Sequence, residues 1–178
     1  ETAMPKNGAP HMAETMAILS EESYKLQVND EVRGLLNKLN ANSESLDEIT
    51  RREVEEELKQ LKKLENVPIE EYAAYSRLIS EASVKWREAK QTNDYPLFKP
   101  YLERIIAAQK SLMAHMYPGK DTYDALLEEF SEGLSVEMLD PFFADVKAKL
   151  VPVIHAVCQS GNQADDSLLH RPFPIEGQ

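Results

Sequence analysis

The sequence holds few of the residue types that mark disulfide-stabilised or phosphate-binding proteins. Cys158 is the single cysteine among 178 residues, so no disulfide can form within the chain, and we expect a reducing, cytoplasmic location. There are only six glycines and no glycine-rich phosphate loop. No apolar run approaches the roughly 18 residues of a membrane span, so a membrane partner is not expected.

Basic residues are also scarce relative to acidic ones. The chain has 20 Lys and Arg against 31 Asp and Glu, which gives a net charge of −11. Binding to nucleic acid needs clustered cations that neutralise phosphates, so this balance argues against a nucleic-acid partner. The composition of 42% hydrophobic and 29% charged residues is typical of a soluble helical protein.

Apolar residues recur at helical spacing through most of the chain, and no strand alternation or fixed repeat is visible. The pattern predicts an all-α fold of about six to seven antiparallel-packed helices. We expect a single lobe over residues 1–178, with a loop at 1–10, a helical body at 11–160 and a loop tail at 161–178.

The packed face of the first helix is predicted from its large apolar residues. Met12, Met16, Leu19, Ser23 and Leu26 follow the helical period and mark one face of this helix, with Ile18 beside it. The same reasoning assigns to the core the aromatic residues that recur through the middle of the chain, namely Tyr72, Tyr75, Trp86, Tyr95, Phe98 and Tyr101.

Helix starts are predicted from capping residues and prolines. Asp30 is expected to cap the second helix, and Ser43 or Ser45 the third. Pro100 is expected in the first turn of the helix that follows the Asn93–Pro96 breaker.

The sequence supplies no complete catalytic or metal-binding set. No histidine has a second histidine at i+4, and there is no HEXXH, G-x-S-x-G or CxxC motif. Cys158 is interpreted as a small buried apolar residue, and His115 and His155 as structural residues. No catalytic, cofactor-binding or metal-ligating residue is therefore assigned, although the four histidines are noted as His11, His115, His155 and His170.

The stretch from Trp86 to Leu102 joins two strong helices, and we expect Trp86 and Phe98 to be buried where they meet. Its pattern, W-x-x-A-K-x-x-N-D-Y-x-x-F-x-P-x-L, closely resembles the carboxypeptidase Taq family of HEXXH metallocarboxypeptidases. Further stretches resemble the same family in the same order. They are the segment from Met4 to Ser20, the segment from Tyr123 to Ser135, Leu150–Ile154 and the terminal Phe173–Gln178.

The resemblance implies a parent enzyme that removes C-terminal residues from peptides. In that family two histidines and a downstream Glu hold Zn²⁺ or a similar divalent ion, and the motif Glu activates water. This sequence stops before the HEXXH segment, so no ligand or catalytic base is carried over. The chain is expected to be the N-terminal helical lobe, one wall of the substrate cleft. Alone it is expected to be inactive, with the missing C-terminal catalytic part and a possible second copy as partners.

Two alternatives stay open from the sequence. One is a piece of an oligoendopeptidase F-like metallopeptidase, which cuts inside peptides. The other is a helical interaction module without catalysis. An HEXXH segment encoded beyond Gln178 would favour an enzyme, and a stop codon would favour the module.

Overall fold

The computed structural model describes residues 5–161, 165–170 and 172. Within these ranges the chain forms seven α-helices and two short 3₁₀ turns, without a strand, which confirms the all-α prediction. It divides into two compact units, Glu1–Leu126 and Leu127–Gln178. The helices are α1 (Ala9–Gln27), α2 (Asp30–Ala41), α3 (Glu48–Leu64), α4 (Ile69–Thr92), α5 (Tyr95–Met116), α6 (Thr122–Phe130) and α7 (Val136–Gln159).

In the first unit α1 packs against α4 through small side chains. Ala13 and Ala17 are buried, and the Ser20 and Ser76 hydroxyls meet at 2.7 Å between the two helices. The face predicted from the large apolar residues is therefore wrong: Met16 and Leu19 are exposed, and Leu26 is 74% exposed. Both faces have helical spacing, so the period alone does not distinguish them. Small residues form the packed face because they let the two backbones approach closely.

A second cluster joins the end of α3 to α5 and α6. Its buried members are Val67, Leu112, Met113 and Ala125. Tyr72 and Tyr75 of α4 pack against it, as predicted for these two aromatic residues. Burial of this apolar surface fixes α4 and α5 side by side along their length.

Two of the predicted N-caps are wrong by one or a few residues. Asn29, not Asp30, caps α2 by accepting a hydrogen bond of 2.9 Å from the Val32 amide. Asp47, not Ser43 or Ser45, caps α3 by accepting from the amides of Ile49 and Thr50. An Asp directly before the first helical residue places its carboxylate where the unpaired amides of the first turn converge.

The breaker between α4 and α5 is shorter than expected. Asn93 ends α4 in the left-handed region at φ 53°, and Asp94 accepts a hydrogen bond of 3.3 Å from the Leu97 amide. The new helix therefore begins at Tyr95, so Leu97 and Phe98 are helical rather than irregular. Pro96 occupies the first turn in the place expected of Pro100, which lies inside the helix.

In the second unit α7 is a single helix that runs through Pro141 and Pro152. Ser135 caps it by accepting a hydrogen bond of 3.4 Å from the Met138 amide. Cys158 lies exposed near its end, so the buried position predicted for this cysteine is wrong. The family-like segments at Met4 and Phe173–Gln178 lie outside the described residues.

Candidate functional site

Two of the four histidines lie beside a carboxylate. His115 is half-buried on α5, with its Nε2 atom 3.3 Å from Glu71 Oε1. The His170 Nε2 atom lies 3.0 Å from Asp166 Oδ2 within its own turn. His11 and His155 are exposed on α1 and α7. The structural role predicted for His115 agrees with its contact, while His155 stands on an exposed surface.

The richest polar cluster in the described part of the chain connects α4 to α5 at Glu71. Ser111 Oγ donates a hydrogen bond of 2.7 Å to Glu71 Oε2, while His115 approaches the other carboxylate oxygen. The Ser111 hydrogen bond is the largest cause that lowers the pKa of Glu71; burial opposes it and His115 reinforces it. The carboxylate therefore stays ionised. The Glu71 carboxylate lies between the Ser111 hydroxyl and the His115 ring. Activation of a serine nucleophile needs the histidine to contact the serine directly, with the carboxylate on the far side of the ring, and this arrangement is different.

The sequence does not indicate this cluster, because Ser111 and Glu71 are 40 positions apart and only tertiary packing brings them together. One signal was available. Ser111 and His115 are four residues apart, so they share a face of α5. That face carries two groups able to hydrogen-bond a carboxylate.

An open groove runs along the same pair of helices beyond Glu71. Its volume is about 310 Å³, and we refer to it as the α4–α5 groove. Arg104 marks the other end, where its guanidinium lies 4.0 Å from the Glu81 carboxylate and 5.7 Å above the Tyr101 ring. The groove thus has an anionic and a cationic end, and uncharged side chains line it between them. The lining residues are Glu71, Ala74, Tyr75, Leu78, Arg104, Ala107 and Ala108.

The stretch from Trp86 to Leu102 contributes to two smaller grooves beside Trp86 and Phe98, with volumes of about 170 and 230 Å³. The burial predicted for Trp86 is wrong, since its side chain is 47% exposed, and Tyr95 is 60% exposed. Ala82 and Ala89 take the buried positions beside Trp86 on the same face of α4. The Lys90 ammonium lies 5.0 Å from the centroid of the Trp86 ring.

A cationic groove of about 470 Å³ lies between α3 and the end of α5, in contrast to the acidic balance of the chain. Lys63 and Lys120 place their ammonium groups 5.2 and 5.4 Å from the centroid of the Tyr117 ring. Lys62 and Lys63 also lie in the last turn of α3, where cations stabilise the negative end of the helix dipole. This accounts for their placement without a ligand.

The decisive comparison is with protein families. The carboxypeptidase Taq (M32) metallopeptidase family model matches residues 1–178. The chain belongs to this family. The resemblance inferred from the Trp86–Leu102 pattern is thereby confirmed.

Similar proteins in the carboxypeptidase Taq family include two curated carboxypeptidases. Carboxypeptidase 1 of Bacillus subtilis is 36% identical over 99% of this chain. Thermostable carboxypeptidase 1 of Thermus thermophilus is 28% identical, also over 99%. Among solved structures, the BsuCP crystal structure superposes with a TM-score of 0.90 at 35% sequence identity. The match covers 98% of this chain and 35% of the BsuCP chain. The Pyrococcus furiosus carboxypeptidase structure gives a TM-score of 0.69 at 26% identity, over 89% of this chain and 32% of its own.

The match is almost complete for this chain and partial for its relatives. The chain spans 35% of the length of the Bacillus relative and 37% of the Thermus relative. Nearly two thirds of each relative therefore lies outside the region that this chain matches.

A metallopeptidase family implies a divalent metal, and the described residues do not fit one. No group of three or more His, Cys, Asp or Glu side chains within them is arranged to hold an ion. The Glu71 cluster brings only one carboxylate and one imidazole together, whereas a catalytic zinc needs three protein ligands.

Proposed function

We propose that this chain is the N-terminal helical lobe of a metal-dependent carboxypeptidase that releases C-terminal residues from peptides. The observation that carries the proposal is that the match covers this chain almost completely but its relatives only in part. The family model matches the whole chain, yet the chain spans only about a third of the carboxypeptidases that it resembles. A TM-score of 0.90 with the BsuCP structure supports the same assignment.

In this proposal the metal and the water-activating base belong to the remaining part of the protein. The described residues lack a ligand set, so the lobe acts through binding and shape rather than through bond cleavage. It forms one wall of the peptide cleft and is inactive alone. The single cysteine further supports a reducing, cytoplasmic setting.

The α4–α5 groove is the described surface best equipped to contact a peptide. The two ends of the groove are separated along α5. Ser111 binds the Glu71 carboxylate, and Arg104 lies seven positions before Ser111, which corresponds to roughly 10 Å at the helical rise per residue. Three residues of extended peptide span about the same length. Glu71 can accept from a peptide N–H or amine, and Arg104 can donate to a carbonyl or carboxylate.

Substitutions in the complete enzyme test this assignment. Arg104→Ala should raise KM for an N-blocked peptide several-fold and leave kcat nearly unchanged, because the groove binds substrate away from the reacting atoms. Arg87→Ala on α4 removes an exposed cation outside the groove and is the matched control. Equal KM values for the two variants would contradict a role of the groove in the wall.

The reaction type separates this proposal from the alternatives. Mass spectrometry of peptide products should show stepwise loss of single C-terminal residues, abolished by a chelator. Internal cuts would indicate an oligoendopeptidase-like activity, which the family match disfavours. No chelator-sensitive cleavage by the complete protein would indicate a non-catalytic interaction module.

A further inference from the structure

The second half of α7 has a surface unlike that of any ordinary solvent-exposed helix. From Leu150 to Cys158 its side chains are apolar except for His155. Successive residues in an α-helix are rotated by about 100° about the helix axis, so these nine residues are distributed around the full circumference. His155 occupies the widest angular interval between the apolar side chains. All nine are exposed.

The first half of the same helix is different. Met138, Leu139, Phe142, Phe143 and Val146 lie on one side, while acidic and basic residues such as Glu137, Asp140 and Lys147 lie on the other. This half is amphipathic and needs cover along one side only. Along α7, the required cover thus changes from one face to the whole circumference.

A helix that is apolar all round is normally enclosed within a large core or a membrane. A membrane does not fit here, because none of the helices in the described ranges is long and apolar enough to cross one. A second copy of the chain, joined by two-fold symmetry, covers one face of a helix and not its full circumference. The enclosing body must therefore supply neighbours on several sides.

We propose that residues 150–158 of α7 form a central helix of the complete protein, enclosed by the part that lies outside this chain. This inference rests on the proposed function, and it names the surface through which the lobe joins the catalytic part. The relatives supply a body of sufficient size, since nearly two thirds of their length lies beyond the matched region. In this enclosed position His155, the one polar side chain of the segment, makes a hydrogen bond to that part.

Cys158 provides a direct probe, because it is the only cysteine of the chain and lies within this segment. The rate of maleimide labelling at Cys158 is followed by peptide mass spectrometry in the 178-residue chain and in the full-length gene product. In the full-length protein labelling should be at least about 100-fold slower, because the thiol reacts only when the packed structure opens. Unfolding in urea should restore the fast rate.

Two substitutions keep the test specific to the enclosed face. In the full-length protein, Ile154→Asp should abolish most of the protection of Cys158, because a charge cannot be enclosed there without a partner. Lys147→Glu, on the polar side of the first half of α7, should leave the protection intact. Loss of protection in both variants to the same degree would overturn the inference.

Other outcomes separate this inference from the proposed function. Equal labelling rates in the two proteins, with full peptidase activity, would overturn the enclosed helix alone. Protection that appears in the 178-residue chain as its concentration rises would overturn it too, since a second copy would then suffice. Protection in a full-length protein without peptidase activity would support the enclosed helix and contradict the proposed function.

Discussion

The Tyr24 hydroxyl donates a hydrogen bond of 2.8 Å to the carbonyl of Val67, 43 residues away. It also reaches the Leu64 carbonyl at 3.2 Å, and its ring lies 5.5 Å from that of Tyr72. One side chain near the end of α1 therefore satisfies the carbonyl of Leu64, the last residue of α3, and the carbonyl of Val67 in the link to α4. Carbonyls at a helix end need such partners, because the helix itself provides none.

Removing this hydroxyl tests its contribution. Tyr24→Phe should lower the free energy of unfolding by about 1 kcal/mol, since the ring contact remains while the hydrogen bonds are lost. Tyr123→Phe is the matched control, because that side chain is 61% exposed, and it should change stability little. Urea unfolding followed by circular dichroism measures both. Equal midpoints for the two variants would contradict the role given to Tyr24.

The close contact of α1 with α4 predicts an unusual ranking of substitutions. Ala17→Leu should destabilise the chain by roughly 1–3 kcal/mol, because the added atoms have no space between the helices. Ala17 is only 2% exposed, whereas Leu19 is 58% exposed. Leu19→Ala should therefore have a much smaller effect in the same unfolding assay. The reverse order would mean that α1 packs through its large residues instead.

The start of α3 depends on Asp47. Asp47→Ala should lower the urea midpoint of unfolding, because two amides of the first turn lose their acceptor. Asp47→Asn keeps an acceptor oxygen and should recover most of the loss. Ser45→Ala removes only an exposed hydrogen bond to the Asn42 carbonyl and should be nearly neutral. A larger effect at Ser45 than at Asp47 would show that the helix begins earlier.

The helices themselves follow from the sequence, whereas the faces and starts of several do not. Apolar periodicity and breakers such as Pro68 and Gly133 predict where helices exist. Periodicity cannot tell the Ala13 and Ala17 face from the Met16 and Leu19 face, because packing depends on the shape of the opposing helix. The N-cap of α3 depends on local backbone geometry that several neighbouring polar residues can satisfy.

The candidate surfaces were less predictable still. The Glu71 cluster depends on which turn of α5 lies opposite the start of α4, and this register is set by tertiary packing. The exposure of Trp86 and Cys158 likewise depends on which neighbours cover them, and a sequence pattern only indicates that apolar residues need cover. The stretches that resemble the carboxypeptidase Taq family, with Trp86–Leu102 first among them, are the functional signal that the sequence itself carries.

Glu71 makes stability depend on pH in the acid range. Its pKa is lower in the folded chain than the ordinary value of 4.5, so folding favours the ionised carboxylate. This contribution is complete above that ordinary value and is lost as the pH falls through the folded-state pKa. The native chain should therefore lose more stability than Glu71→Gln as the pH falls from neutral to below 4.5.

Two controls define the cause of this acid dependence. Ser111→Ala removes the largest contribution that lowers the pKa of Glu71 and should flatten the acid limb of the stability curve in part. Glu103→Gln is the control, because this carboxylate is exposed and its ion pair with Lys99, at 3.7 Å, is solvated. This variant should leave the acid limb of the stability curve unchanged. Parallel acid limbs for the native chain and Glu71→Gln would refute the assignment.

The central claim is that this lobe is needed for peptidase activity and supplies none of the metal chemistry. The most direct measurement is the rate at which single C-terminal residues are released from an N-blocked peptide. It compares the purified 178-residue chain, the remaining part of the gene product, and the two parts co-expressed and purified together. We expect no chelator-sensitive release by either part alone and release by the joined parts. Chelator-sensitive release by the 178-residue chain, or undiminished activity of the remaining part without it, would show that the lobe does not have this role.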